Sequence, residues 1–210
     1  MTTLVIGALG ATGRLVVEAL AAAGSSVAAG VHHPRQVNAS SDRGSEHRLF
    51  DLTWEAEEME KAFSGVDTVV NAAAARDISQ AARVDRDGVI TAMSTAQRAG
   101  VTRWIQISMA GVDRPEVLPG FLLSAAEAKR EADERLATTG MEWTVIRPPW
   151  LTDAPAGGRV VLNDAGAGSL SRADLAGVVT ASLQEPATIN RTFEVASGPL
   201  PINVALAQLL

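Results

Sequence analysis

Apolar residues along the chain fall into two kinds of stretch that alternate. Short continuous runs occur at Leu4-Val5-Ile6, within Ser26 to Val31, His47 to Phe50, Thr68 to Asn71, Arg103 to Ile107 and Met141 to Ile146. Between them, apolar residues recur at helical spacing, as over Arg14 to Ala23 and over Ser79 to Arg98. A continuous run implies a strand covered on both faces, and a helical interval after each strand implies βα repeats. The pattern predicts an α/β fold, a doubly wound and mostly parallel sheet. Val160 to Leu162 and the alternating Arg191 to Ala196 add short strands, and Pro201 to Leu210 a terminal helix.

Turn and cap residues set the boundaries. Gly24 closes the first helix, Gly65-Val66-Asp67 turns into the fourth strand, and Gly100 ends the long helix from Ser79 as a C-cap. That helix is expected to pack across the sheet or against a second subunit. Ser124-Ala125-Ala126-Glu127 and Ser171-Arg172-Ala173-Asp174 both read as capping boxes, opening helices near Ala125 and through Leu183. Residues 35 to 45 read as a polar loop. Asp51 and Thr53 compete to cap the helix after strand three, with Glu55, Glu57 and Glu58 complementing its dipole.

Length and composition narrow the classes. At 210 residues one domain, 1–210, is expected. A net charge of −6 without a basic run argues against nucleic acid. The absence of cysteine removes disulfides, thiolate metal sites and a Cys nucleophile. His32, His33 and His47 lack the helical spacing of a metal pair, so no metal is expected. No apolar stretch is long enough to span a bilayer and no secretory leader is evident, so a cytoplasmic protein with no membrane partner is expected, as monomer or homodimer.

The first strand runs straight into Gly7-Ala8-Leu9-Gly10-Ala11-Thr12-Gly13, and a helix follows. Glycines between strand and helix let a pyrophosphate approach backbone N–H groups at a helix N-terminus. The spacing, G-x-x-G-x-x-G, is one residue wider than the common dinucleotide fingerprint. It resembles that of the atypical short-chain dehydrogenase/reductases, in particular the small NmrA-like and flavin reductase/biliverdin-IXβ reductase type. The resemblance spans about residues 3 to 196. It implies a Rossmann sheet in which residues 148–210 contribute a small substrate-side lobe, and candidate cofactor contacts at Gly7, Leu9, Gly10, Ala11, Thr12 and Gly13.

Later strand ends extend the candidate site. The second strand ends at His32-His33-Pro34-Arg35 with no carboxylate before Asp42, which favours NADP over NAD, because an NAD site places an acid there for the ribose hydroxyls. His33 also reads as part of an ordinary solvated loop. Relatives often carry Arg at the position of His32. Asp51 and Leu52 resemble the adenine-contacting pair, and the small residues Ala72, Ala73 and Ala74 allow close approach of a ribose. Ser108, after strand five, resembles the catalytic serine. Lys129 resembles the lysine of Y-x-x-x-K, but Ala125 stands at the tyrosine position and the chain contains no tyrosine. Arg147-Pro148-Pro149-Trp150 resembles the segment beside the nicotinamide.

These features predict an NADPH-dependent reductase of a conjugated small-molecule acceptor, flavin, quinone or similar, with Ser108 orienting the acceptor and Lys129 fixing the ribose. Losing a positioned acid costs carbonyl reduction about 10²–10⁴ in rate, which argues against a Tyr-dependent ketone reductase or sugar epimerase. Met109, Phe121 and Trp150 are expected around a flat apolar pocket, Phe121 equally as a core residue. The alternative is a non-catalytic NADP(H)-binding regulator of the NmrA type.

Overall fold

The computed structural model of the protein describes residues 1–37, 45–163 and 168–209. The strands are β1 (Thr2–Ile6), β2 (Ser26–Val31), β3 (Glu46–Leu49), β4 (Thr68–Asn71), β5 (Arg103–Ile107), β6 (Glu142–Arg147), β7 (Trp150–Thr152), β8 (Arg159–Leu162), β9 (Ser169–Ser171), β10 (Arg191–Ser197) and β11 (Leu200–Pro201). The α-helices are α1 (Gly13–Ala22), α2 (Pro34–Val37), α3 (Ala56–Ala62), α4 (Val89–Arg98), α5 (Leu123–Leu136), α6 (Arg172–Ser182) and α7 (Ile202–Leu206). Of the loop expected over residues 35 to 45, residues 38–44, Asp42 among them, lie outside the described residues; α2 occupies its start.

Nine strands form one sheet in the order β11-β8-β10-β6-β5-β4-β1-β2-β3. The pairs from β10 through β3 are parallel, and β8 runs antiparallel to β10. The chain winds outward from β1 to β3, then returns to β4 on the other side of β1. That reversal leaves a crevice at the carboxyl ends of β1 and β4, where open α/β sheets bind ligands. Of the strands after β6, β8, β10 and β11 join the main sheet, while β7 and β9 pair in parallel as a small sheet of their own.

The side-chain alternation of the strands assigns each to two cores. Leu4 and Ile6 of β1 face one core with Met59 of α3, Met93 of α4 and Leu136 of α5. Val5 faces the other with Val16 and Leu20 of α1 and Leu175 and Val179 of α6. β4 and β5 divide in the same way, Val69 and Trp104 to the first, Val70 and Ile105 to the second. Both faces are covered, as the continuous apolar runs require.

Three local expectations are corrected. Ser124 does not cap a helix: α5 begins one residue earlier, at Leu123, with Leu122 as N-cap, because a short 3₁₀ turn at Gly120–Leu122 feeds directly into it. Ser171 does cap α6, accepting from the Asp174 N–H. Neither Asp51 nor Thr53 caps α3: Glu55 and Glu58 form a reciprocal capping box, and Asp51 instead accepts from the Thr53 N–H and hydroxyl, both at 2.8 Å. The long helix to Arg98 is not uniform. It begins as a 3₁₀ turn at Ile78–Gln80, continues as a π-helix over Ala82–Gly88 and becomes α-helical only from Val89. Gly88 lies so close to the β3–α3 connection that a Cβ there would stand 2.1 Å from the Leu52 carbonyl oxygen. Gly100, at φ +90°, supplies the left-handed residue after the helix.

Candidate functional site

The β1–α1 turn is shaped by two different requirements on its glycines. Gly7 has φ +77°, and a Cβ there would lie 2.8 Å from the Ala73 backbone; one on Gly13 would lie 2.1 Å from the Gly7 carbonyl oxygen. These two are demanded by the protein's own packing. Gly10 has a single near contact, 3.2 Å to the same oxygen, and is otherwise exposed. It is the glycine whose bareness faces outward.

The N–H of Gly10 donates to the Gly7 carbonyl at 2.9 Å, but among the described residues the N–H groups of Ala11, Thr12 and Gly13 donate to nothing. Thr12 provides no side-chain cap for α1, and the first turn of that helix holds no acid. Orphan donors at an uncapped helix start, with no carboxylate competing, suit a bound anion.

The turn forms one wall of a crevice of about 800 Å³ at the β1/β4 reversal. Of the residues expected to contact a cofactor, Gly7, Leu9, Gly10, Ala11, Thr12, His32, Asp51, Leu52, Ala72, Ala73 and Ala74 line it. Gly30, Gln36, Arg76, Leu151 and Arg172 are among the other residues that line it. Gly13 lies beneath the turn. His33 and Arg35 stand outside the walls: the His33 Nδ1 accepts from the Arg35 N–H at 3.1 Å, and its own N–H donates to the Gln36 side chain at 3.0 Å. The pair therefore frames the start of α2. A lining residue there, Gln36, was not singled out from the sequence; neither were Arg76 and Arg172.

The expected reaction end is built differently. Ser108 is 5% exposed, and its hydroxyl donates to Asp133 Oδ2 at 2.8 Å. The same oxygen accepts from Arg147 Nε at 3.1 Å and lies 3.0 Å from Arg147 Nη2. Arg147 also pairs with Asp113. Lys129, 8% exposed, lies 3.5 Å from Asp85, which the π-helix brings in and which accepts from the Ala75 N–H at 3.2 Å. Burial pushes the Asp133 carboxyl up from 3.8 to about 6, even though Arg147, the Ser108 hydroxyl and Lys129 pull it down. Its Oδ1 is buried without a hydrogen-bond partner among the described residues.

None of Ser108, Lys129, Pro148, Pro149 or Trp150 is part of the crevice wall. Pro148 accepts from the Ala110 N–H at 2.9 Å, and Trp150 is 61% exposed. The apolar pocket expected from Met109, Phe121 and Trp150 is not formed as a wall of this crevice, and Phe121, 64% exposed, is not a core residue either. Asp133 carried a readable signal: it follows Lys129 by four positions and so shares its helix face. Asp85 carried none, since its approach depends on the π-helix. Among the described residues no acid and histidine cluster could hold a metal ion, and no helix is long and apolar enough to cross a membrane.

Known proteins share the fold over nearly the whole chain. The chain is 32% identical to YhfK of Bacillus subtilis (strain 168), named an uncharacterized sugar epimerase, over 100% of both chains. The solved structure of the oxidoreductase ylbE from Lactococcus lactis superposes with a TM-score of 0.91 at 27% identity, covering 100% of this chain and 96% of that one. The fold is also that of ChuY, an anaerobillin reductase from Escherichia coli O157:H7, with a TM-score of 0.80 at 21% identity, covering 95% and 98%. The profile of the NAD(P)H-binding family matches residues 7–186, from the first glycine of the turn to the end of the βα repeats, and the chain belongs to that family.

Proposed function

We propose that the protein is an NADPH-dependent reductase of a conjugated acceptor such as a flavin or quinone. The crevice accommodates a dinucleotide along its length, with Asp51 and Leu52 at the adenine, the β1–α1 turn at the pyrophosphate and Ala72, Ala73 and Ala74 beside the ribose. His32 at the end of β2, followed by no acid over residues 33–37, supports NADP over NAD. A reduced nicotinamide, when bound, supplies a hydride. The residues of the chain bind, orient and exclude water.

The observation that carries the choice of acceptor is the state of the proton-bearing groups. Ala125 occupies the tyrosine position, and the one hydroxyl proton of Ser108 is given to Asp133. Lys129 faces Asp85. Neither Ser108 nor Lys129 is thus poised to hand a proton to an isolated carbonyl, and an acceptor that spreads the incoming charge over a conjugated ring needs that help least. The same argument sets aside the epimerase name carried by YhfK as a guide to this chain.

A second reading, a non-catalytic NADP(H)-binding regulator, is favoured by the burial of Ser108 and Lys129. Purified protein with NADPH and a panel of flavins, quinones and simple ketones separates the two through the loss of reduced-nicotinamide absorbance. Turnover confined to conjugated acceptors is expected. Comparable turnover of ketones overturns the proposal, and tight NADPH binding with no turnover selects the regulator.

A further inference from the structure

Arg172 is the first residue of α6 and lines the crevice together with Leu151. α6 leads from the small β7/β9 sheet to β10, which is parallel to β6, so it runs the same way as α1 and packs against it. Arg172 and the β1–α1 turn accordingly border one crevice from two helix starts. The N-terminus of α6 is itself spent internally. Ser171 accepts from the Asp174 N–H at 2.9 Å, and the Asp174 carboxylate accepts from the Gly157 and Gly158 N–H groups at 3.0 and 2.7 Å.

The guanidinium is held more loosely than the backbone beneath it. Its described partner is Asp153, 2.8 Å away, whose side chain is 85% exposed. An ion pair with so exposed a member contributes little and exchanges readily. Guanidinium geometry matches the paired oxygens of a phosphate, and a ligand carrying more than one negative charge outcompetes a single solvated carboxylate.

Resting on the reading of the crevice as a dinucleotide site, we propose that Arg172 is a second grip on the cofactor's pyrophosphate. The N–H groups of Ala11 and Thr12, which line the crevice, hold it from one side and Arg172 from the other. Asp153 keeps the guanidinium in place until the ligand arrives.

The test compares calorimetric affinities for NADPH, for ADP-ribose, which keeps the pyrophosphate, and for 2′-AMP, which lacks it. Arg172→Ala should weaken NADPH and ADP-ribose by about tenfold or more and flatten their salt dependence, leaving 2′-AMP unchanged. Asp153→Asn should tighten NADPH by about two- to fivefold by removing the competitor. Should Arg172→Ala fold poorly, Arg172→Lys, which keeps charge but loses the fork, should give an intermediate loss. Unchanged NADPH and ADP-ribose affinity, an equal loss for 2′-AMP, or an effect only on the KM of an acceptor overturns the inference while NADPH binding by the wild type stands. A wild-type protein that binds none of the three ligands overturns both.

Discussion

The two ends of the proposed site handle their polar groups in opposite ways. At the β1–α1 turn, the N–H groups of Ala11 and Thr12 on the crevice wall have no partner among the described residues, and Gly10 beside them is exposed. At the end of β5 and on α5, the groups expected to do chemistry are already engaged, Ser108 with Asp133 and Lys129 with Asp85, and Arg147 beside them pairs with two carboxylates. Groups left unpaired at a surface point to a ligand, whereas groups paired in the interior stabilise the protein first. The nucleotide end therefore speaks for binding more directly than the reaction end speaks for catalysis.

Substitution at each end should break different things. Asp133→Ala leaves Arg147 buried with only the more exposed Asp113, and should cost about 3 kcal/mol or more in urea denaturation. Gly10→Val should cost about 1 kcal/mol, since its one near contact is at 3.2 Å, yet should abolish NADPH binding by filling the space over the turn. A Gly10→Val protein that binds NADPH normally, or an Asp133→Ala protein as stable as wild type, removes the contrast.

The same contrast explains what the sequence made legible. Strand runs and the glycine turn are local signals, and they placed the sheet, the crevice and the anion-facing turn. The order of β8 and β10 and the docking of Arg172 depend on pairings between distant segments, for which periodicity has no signature. The two capping-box patterns show how narrow the margin is. Ser171 caps because an extended strand, β9, precedes it, while Ser124 has the same spacing but is preceded by a turn already helical. Ser108 and Lys129 were found as residues; of their buried carboxylate partners, Asp133 stands one helical turn beyond Lys129 on α5 and was within reach of the pattern, whereas Asp85 belongs to a π-helix.

The buried carboxylate offers a sharper test by pH. Because burial raises the Asp133 pKa from 3.8 to about 6, the folded protein holds this proton more tightly than the unfolded chain does. The resulting stabilisation is complete below about pH 4 and is lost as pH rises through about 6. Asp133→Asn, which cannot ionise, removes this dependence. The stability of wild type minus that of the variant should fall between pH 4 and pH 7, by on the order of 3 kcal/mol. Carboxylates common to both proteins, such as Glu46 and Asp77, whose pKa values are lowered, cancel in the difference. A difference that is flat, or that rises with pH, means that Arg147 and Lys129 hold Asp133 charged and that this end is an ordinary ion-pair cluster.

The smallest expected effect lies back at the nucleotide end, at His32, where the crevice wall leaves β2. His32 lines that wall, whereas His33 and Arg35 do not, and on the proposed reading it meets a group on the adenosine ribose. An arginine there brings a permanent charge and a two-pronged donor to a 2′-phosphate, whereas an aspartate repels the phosphate and accepts from the ribose hydroxyls instead. His32→Arg should tighten NADPH by about three- to tenfold and leave NADH nearly unchanged. His32→Asp should weaken NADPH and improve NADH, moving the preference in the opposite sense. Paired titrations of both nucleotides against the three proteins read the two shifts directly. If both variants alter NADPH and NADH by the same factor, His32 touches the part the two cofactors share. Discrimination would then fall to other polar side chains of the crevice, of which Gln36 and Arg76 are the first to substitute.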